Sequence, residues 1–188
     1  APHPAVDFEL LRPLSIGGGW RQWAFARAVE RHLRERRYDV VLGLGKTWTQ
    51  DVLRLGGGTH ATYLELAHRE TLTPLERALG KGVVKQALAL ASERRALAPG
   101  AYRRVIANSG MVARDVARRY AVPPEAIEVI HNGVDLERFH PRLRAGPGAA
   151  LRRELGLQDD DLALLFLGTG YGRKGLDTVL EALARVAP

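Results

Sequence analysis

The chain has 188 residues, 46% of them hydrophobic, a formal net charge of +7 and no cysteine, which is enough for one good core, or for one domain and part of another. That composition excludes disulfides, thiolate metal sites and cysteine nucleophiles, and no apolar run approaches the about 18 residues that span a bilayer. The first residues, APHPAVDFELL, have neither the basic start nor the apolar stretch of a signal peptide, so the expectation is a cytoplasmic protein. A start at Ala1 in place of methionine points to a processed chain, a trimmed one or a fragment. The basic balance points to partners that carry phosphate, whether nucleic acid, anionic lipid or phosphorylated sugar. Aromatics make up only 6% and do not alternate with the basic residues as a nucleic-acid platform requires, so nucleic acid is not expected as a partner.

In chain order, residues 6–11 alternate apolar and acidic side chains and predict a half-buried strand. A glycine turn at 15–20 leads into a helix over 20–37, with Phe25, Val29 and Leu33 on one face. Residues 38–45 (YDVVLGLG) predict a short buried strand closed by glycines, and 50–66 read as strand, loop, strand. From residue 73 a helix begins, with Thr73 as cap, Pro74 at the first helical position and Glu76 completing a capping box. Gly80 and Gly82 interrupt it, and a second helix resumes near Val83. A strand at 102–109, a helix at 110–122 with Val112, Val116 and Tyr120 on one side, and a strand at 127–133 follow. Residues 142–150 (RLRAGPGAA) are the linker candidate. Beyond it come a short helix at 150–157, a nearly all-apolar strand at 161–168 and a helix from 175, with Leu176, Val179, Leu180 and Leu183 at helical spacing. Strands alternating with helices predict the α/β class with parallel sheets.

The chemistry concentrates in GYGRKG, where Gly170, Gly172 and Gly175 fit G-x-G-x-x-G between a predicted strand and a predicted helix. Glycines let the backbone approach an anion, and a helix start offers free N–H groups and partial positive charge. Arg173 and Lys174 add two full cations, which suits a diphosphate that gains charge as a bond breaks. The acidic residue that would test a dinucleotide reading, about 20 positions on, falls beyond the chain. No G-x-x-x-x-G-K-[ST] occurs, since GLGKT at 43–47 has the wrong glycine spacing. Asp159–Asp161 contain a D-x-D spacing in what reads as a polar turn, and the six histidines show no paired metal-ligand spacing, so no metal site is expected. No G-x-S-x-G elbow is present.

Two stretches at a characteristic separation, VIHNGVDLERFHP (129–141) and LLFLGTGYGRKGLDTVLEALA (164–184), resemble those of the retaining glycosyltransferases of family GT4, which have the GT-B fold. LGTGYGRKGLD and VVLGLGKTWTQDVLRLGGGTH are further similar to the lipopolysaccharide core glucosyltransferases of that family. The resemblance implies an acceptor-side Rossmann-like domain over 1–141, lacking its start, a linker over 142–150, and the truncated beginning of a donor domain over 151–188. It implies sugar transfer from a nucleotide-sugar such as UDP-glucose to a glycan or glycolipid acceptor, with retention and without metal or other cofactor. Gly170, Gly172, Arg173 and Lys174 match the positions that grip the donor diphosphate, with Arg173 and Lys174 as the catalytic pair. Asn132 and Gly133 shape the turn at the interdomain cleft, and Lys46, Asp51 and His60 fall where the acceptor-side cleft is expected. The family is about twice this length, and its late glutamate pair has no counterpart here, so the chain is expected to be an internal fragment that is inactive alone.

A basic amphipathic stretch, with Arg69, Arg77, Lys81, Lys85, Arg94 and Arg95 flanking Leu75, Leu79, Val83, Val84 and Leu88, is compatible with an anionic membrane surface or with an ordinary half-buried helix. Two other classes stay open at this point. One is a nucleotide-dependent oxidoreductase that uses GYGRKG as its fingerprint. The other is a non-catalytic basic domain that binds lipid or nucleic acid.

Overall fold

Short runs of Val, Ile and Leu closed by glycine or asparagine build a parallel four-stranded sheet in the order β1-β2-β3-β4. The strands are β1 (Leu42–Gly43), β2 (Val52–Leu55), β3 (Arg104–Ala107) and β4 (Ile127–Val129). Leu42 pairs with Val52, Leu53 with Val105, and Val105 with Ile127. The computed structural model describes residues 5–14, 18–45, 47–67 and 83–186. They divide into two units, Ala1–His131 and Asn132–Pro188.

In the first unit the helices are α1 (Gly18–Glu35), α2 (His60–Ala67), α3 (Val83–Ala96) and α4 (Gly110–Tyr120). Ser109 opens α4 by accepting the Val112 N–H at 3.3 Å, and Val112 and Val116, one helical turn apart, are buried against the sheet. Leu53, Leu97, Val105 and Val122 complete the core. Only residues 44–51 connect β1 to β2, and Trp48 anchors that connection. Its ring packs 4.7 Å from Trp23 of α1, and the Arg95 guanidinium of α3 sits 4.4 Å over it. Gln50 adds hydrogen bonds to the carbonyls of Ala96 and Ala101.

Several sequence expectations change here. Residues 6–11 form no strand, because they have no ladder partner among the described residues. Glu9 instead ties this segment to His32 of α1 at 3.4 Å and to Arg36, just past its end, at 3.1 Å. The 38–45 strand shrinks to β1 at the sheet edge, where Leu42 and Leu44 are exposed and not buried. The helix at 20–37 is present, but Trp23 and Ala26 face the core while Phe25 stays 37% exposed. A spacing of four identifies a helix, whereas the Trp23–Trp48 contact decides its rotation. The second strand expected within 50–66 is α2, for reasons given below. The helix start at Thr73, Pro74 and Glu76 lies outside the described residues, and the helix resuming at Val83 is α3.

In the second unit the helices are α5 (Pro147–Glu154), α6 (Tyr171–Lys174) and α7 (Leu176–Val186). The unit boundary falls ahead of the expected linker, and residues 142–150 are largely helical, part of a 3₁₀ turn (Pro141–Arg144) and the start of α5. Pro147 is the reason, because its fixed φ and missing N–H suit the first turn of a helix. The apolar run 161–168 is not a strand. A strand exists through its ladder, this segment has no partner among the described residues, and Leu162, Leu164, Leu165 and Leu167 are exposed.

This division of core and surface has a measurable consequence. Leu53→Ala, at a fully buried position, should cost about 2–5 kcal/mol in urea unfolding. Leu165→Ala, at 87% exposure, should stay within about 0.5 kcal/mol.

Candidate functional site

In a parallel sheet the loops that leave the carboxyl ends of the strands are the natural walls of a binding site. Here the loop after β1 (Leu44, Gly45) and the glycine loop after β2 (Gly56–Thr59) border a cleft of about 420 Å³. Gln22 of α1, His60 and Tyr63 of α2, Arg54 and Leu55 of β2, and Lys85, Gln86 and Glu93 of α3 also line it. Gly58 sits at φ +82°, a conformation that side chains with a Cβ rarely adopt. The glycine loop is held to the end of β3 by Asn108, whose Nδ2 donates to the Gly56 carbonyl at 2.8 Å.

The residues after that loop become helical because their first N–H groups find fixed acceptors. Thr59 Oγ1 accepts the Thr62 N–H at 3.2 Å as a cap. The Glu93 carboxylate, arriving from α3, accepts the backbone N–H groups of His60 and, at 3.1 Å, of Ala61. A negative charge at a helix start is favourable on its own account. The same carboxylate accepts the Tyr120 hydroxyl of α4. Burial, and then the hydrogen bond to Glu93, push the Tyr120 phenol above its ordinary pKa and keep it a donor.

On the other side of α2, the hydroxyls of Thr59 and Thr62 donate to Asp115 Oδ2 at 2.6 and 2.7 Å. Arg119 bridges Asp115 and Glu65. Burial by itself would raise the Asp115 carboxyl, but the two hydroxyl donors and then Arg119 outweigh it and hold the group below the usual carboxylate range.

His60 is thereby fixed in backbone and ring. Its Nε2 lies 2.6 Å from Gln86 Oε1, and its ring stacks on Tyr63 with centroids 5.8 Å apart. The amide oxygen accepts in that contact. The arrangement places an imidazole among amide and ammonium groups, which suits a polyhydroxylated ligand.

Of the other residues singled out in the sequence, Asp51 is at the opposite end of the sheet. It accepts the Val41 N–H at 2.9 Å and pairs with Arg103 at 3.2 Å, so its role is to join the strand starts and not to line the cleft. Lys46 lies outside the described residues. Asn132 and Gly133 open the second unit at exposed positions. Gln22, Gln86 and Glu93 were not singled out, because polar residues on helices far apart in sequence carry no local signal. Arg95 of the basic stretch pairs with Glu30 at 2.9 Å and covers Trp48, whereas Val83, Val84 and Lys85 are exposed. Arg69, Leu75, Arg77, Leu79 and Lys81 lie outside the described residues.

In the second unit, Gly170 takes a left-handed φ of +72° and lets the chain turn into α6. The first N–H groups of such a turn lack intrahelical partners. The Lys174 stem runs beside Gly168, where an added Cβ would lie 3.7 Å from its methylenes, and Gly172 borders open space. The Arg173 side chain lies outside the described set. Asp161 closes the 158–161 turn by accepting the Gln158 N–H at 2.7 Å, and no cluster of metal-ligating residues occurs among the described residues. Nor does any described helix have the length and apolarity to cross a membrane.

Two substitutions test this network. Glu93→Ala should cost about 1–3 kcal/mol and speed hydrogen exchange at the His60 and Ala61 amides. The depressed Asp115 carboxyl contributes stability that is present above its unfolded pKa and is lost as pH falls through the lower folded value. Asp115→Asn should therefore lower stability at neutral pH and flatten its fall in acid, as read by denaturant midpoints across that range.

The sequence profile of Glycosyltransferase Family 4 matches residues 2–138. The D-inositol 3-phosphate glycosyltransferase of Streptomyces bingchenggensis is 42% identical over 87 residues, which are 46% of this chain and 18% of that protein. The enzyme of the same name from Segniliparus rotundus is 34% identical over 121 residues, 64% of this chain and 23% of the relative. The chain thus spans about a fifth of the length of the curated relatives it matches. Among solved structures, WaaG, a glycosyltransferase involved in lipopolysaccharide biosynthesis, superposes with a TM-score of 0.65 at 23% identity. That match covers 92% of this chain and 45% of WaaG, and it is a likeness of fold that agrees with the GT-B expectation. With its family profile matched over most of its length, the chain belongs to Glycosyltransferase Family 4.

Proposed function

We propose that the chain is part of a retaining, metal-independent glycosyltransferase that moves a sugar from a nucleotide-sugar such as UDP-glucose to a glycan or glycolipid acceptor. The observation that carries this reading is the family match over residues 2–138. The cleft at the carboxyl ends of the strands, with its fixed imidazole, supports it. In this reading the second unit holds the donor. Gly170 and Gly172 bring backbone N–H groups to the diphosphate, and Arg173 and Lys174 neutralise the charge that grows on it as the C1–O bond breaks. Those two side chains take the part that a divalent cation plays elsewhere. The acceptor oxygen bonds to C1 on the face the diphosphate leaves, which retains configuration, and its proton passes to the departing phosphate oxygen.

His60 orients the acceptor hydroxyl, with Lys46, Asn132 and Gly133 on the acceptor side. Relatives named for D-inositol 3-phosphate and for lipopolysaccharide biosynthesis support a polyol or glycan as acceptor. We extend the reading to a cytoplasmic enzyme that touches an anionic inner membrane face, since exposed Val83 and Val84 lie beside Lys85. The 188 residues bind donor without turnover on this reading, because they match only 45% of the solved relative.

Calorimetric titration of UDP-glucose, GDP-mannose and NAD into the chain tests it. One sugar nucleotide should bind selectively, and Arg173→Ala and Lys174→Ala should each weaken it by about tenfold, the loss of one charge-assisted contact. Selective binding of NAD, or equal binding by both variants, would count against the reading.

A further inference from the structure

At the end of the sheet opposite the cleft, where the strands start, three side chains from separate stretches stand in series. Tyr38 lies between α1 and β1, shortly ahead of Val41, whose N–H is held by Asp51 at 2.9 Å. The Tyr38 hydroxyl is 2.7 Å from Nε2 of His32, in the last turn of α1. The other ring nitrogen, Nδ1, faces Oε1 of Glu9 at 3.4 Å. The second oxygen of that carboxylate is held by the Arg36 guanidinium at 3.1 Å. The imidazole is largely covered, with its side chain 16% exposed, whereas Tyr38 is 49% exposed.

A hydrogen bond to an exposed phenol adds little to stability, because water competes for both partners. The series has instead the form in which proteins activate a nucleophile: a base within hydrogen-bond reach of a hydroxyl, and a third group that orients the base. In the neutral ring with its proton on Nδ1, toward the Glu9 carboxylate, Nε2 has the lone pair that takes the phenolic proton. The carboxylate then stabilises the imidazolium that forms.

We propose that Tyr38 is a covalent modification site, a phenol that takes an acyl group from an activated ester, with His32 as its general base and Glu9 positioning that base. In this step the Tyr38 oxygen bonds to the acyl carbon, and the bond from that carbon to the leaving oxygen breaks. The phenolic proton passes to His32 Nε2, and from there to the departing oxygen or to water. Nothing is oxidised or reduced. The step uses neither the cleft nor the glycine turn, so it stands apart from sugar transfer. Other tyrosines are placed differently: Tyr120 gives its hydroxyl to the Glu93 carboxylate, Tyr63 stacks its ring on His60, and Tyr171 has the Phe166 ring 6.1 Å away.

The test needs neither nucleotide nor sugar. The chain is treated with p-nitrophenyl acetate at neutral pH, and mass spectrometry of its peptides gives the acetylation rate at each tyrosine. Exposure alone puts Tyr171, at 60%, ahead of Tyr38. The expected result is the reverse order, with Tyr38 faster by about tenfold or more, a modest share of what a positioned base contributes. His32→Gln keeps a hydrogen-bonding side chain but removes the base, and should bring Tyr38 back to the Tyr171 rate. Glu9→Gln should lower the Tyr38 rate in part, and amide spectra report whether each variant is folded. The comparison of Tyr38 with Tyr171 in the unaltered chain needs no variant, so it decides even where one fails to fold. Tyr38 no faster than Tyr171, or a lead undiminished in folded His32→Gln, would overturn the proposal. Acetylation of Tyr38 that rises in His32→Gln would overturn it as well, since the imidazole would then only shield the phenol.

Discussion

The carboxylate of Glu93 sits where three helices meet. It rises from α3, accepts the first two N–H groups of α2 and receives the Tyr120 hydroxyl of α4. A half-buried carboxylate with three donors is satisfied, and each donor would be costly to leave unpaired in its absence. The position of His60 follows, because its own backbone N–H is one of the donors. Its ring is then finished by Gln86, about two turns earlier on the α3 helix that carries Glu93. One helix thus sets both the backbone and the imidazole of the residue at the mouth of the cleft.

The same arrangement decides what the cleft can hold. A helix N-terminus after a glycine loop is ordinarily open to an anion, and here an internal anion has taken the place. The cleft lining combines the amides of Gln22 and Gln86, the His60 imidazole, Arg54 and Lys85 with apolar Leu44, Leu55 and Tyr63, a mixture that suits hydroxyl groups on a ring. Beneath it the sheet is short, and Trp48 fixes the edge connection between β1 and β2 by packing on α1 and α3. The cleft therefore rests on aromatic packing at one end and on the Thr59–Asp115–Arg119 hydrogen bonds at the other.

The second unit obeys the opposite rule. Its glycine turn has its backbone form from left-handed residues alone, at Gly170 and Gly175, so it exists without a sheet beside it. The apolar run before it and the Val179–Leu183 row of α7 remain exposed, since neither has a surface among the described residues to pack on. Local geometry is complete there, and burial is not.

Local chemistry was legible in the sequence wherever it acts over a few residues. The parallel α/β class, α4 with its Val112–Val116 row, β2, β3, and the helix after Gly175 could all be read from periodicity and caps, and the two family stretches from their residues. His60 was noticed only for following three glycines. What the sequence could not decide was anything set by partners distant along the chain. An apolar run at 161–168 reads as a strand, yet a strand needs a neighbour to exist. The residues after Gly58 read as a strand and became α2, because Glu93 and Asp115, 33 and 53 residues away from their partners His60 and Thr62, supply its cap and its anchor. Asp51 read as a cleft residue and turned out to tie strand starts at the far end of the sheet. Sequence determines which elements can form; only the folded chain determines which face is buried and which end of a helix is already occupied.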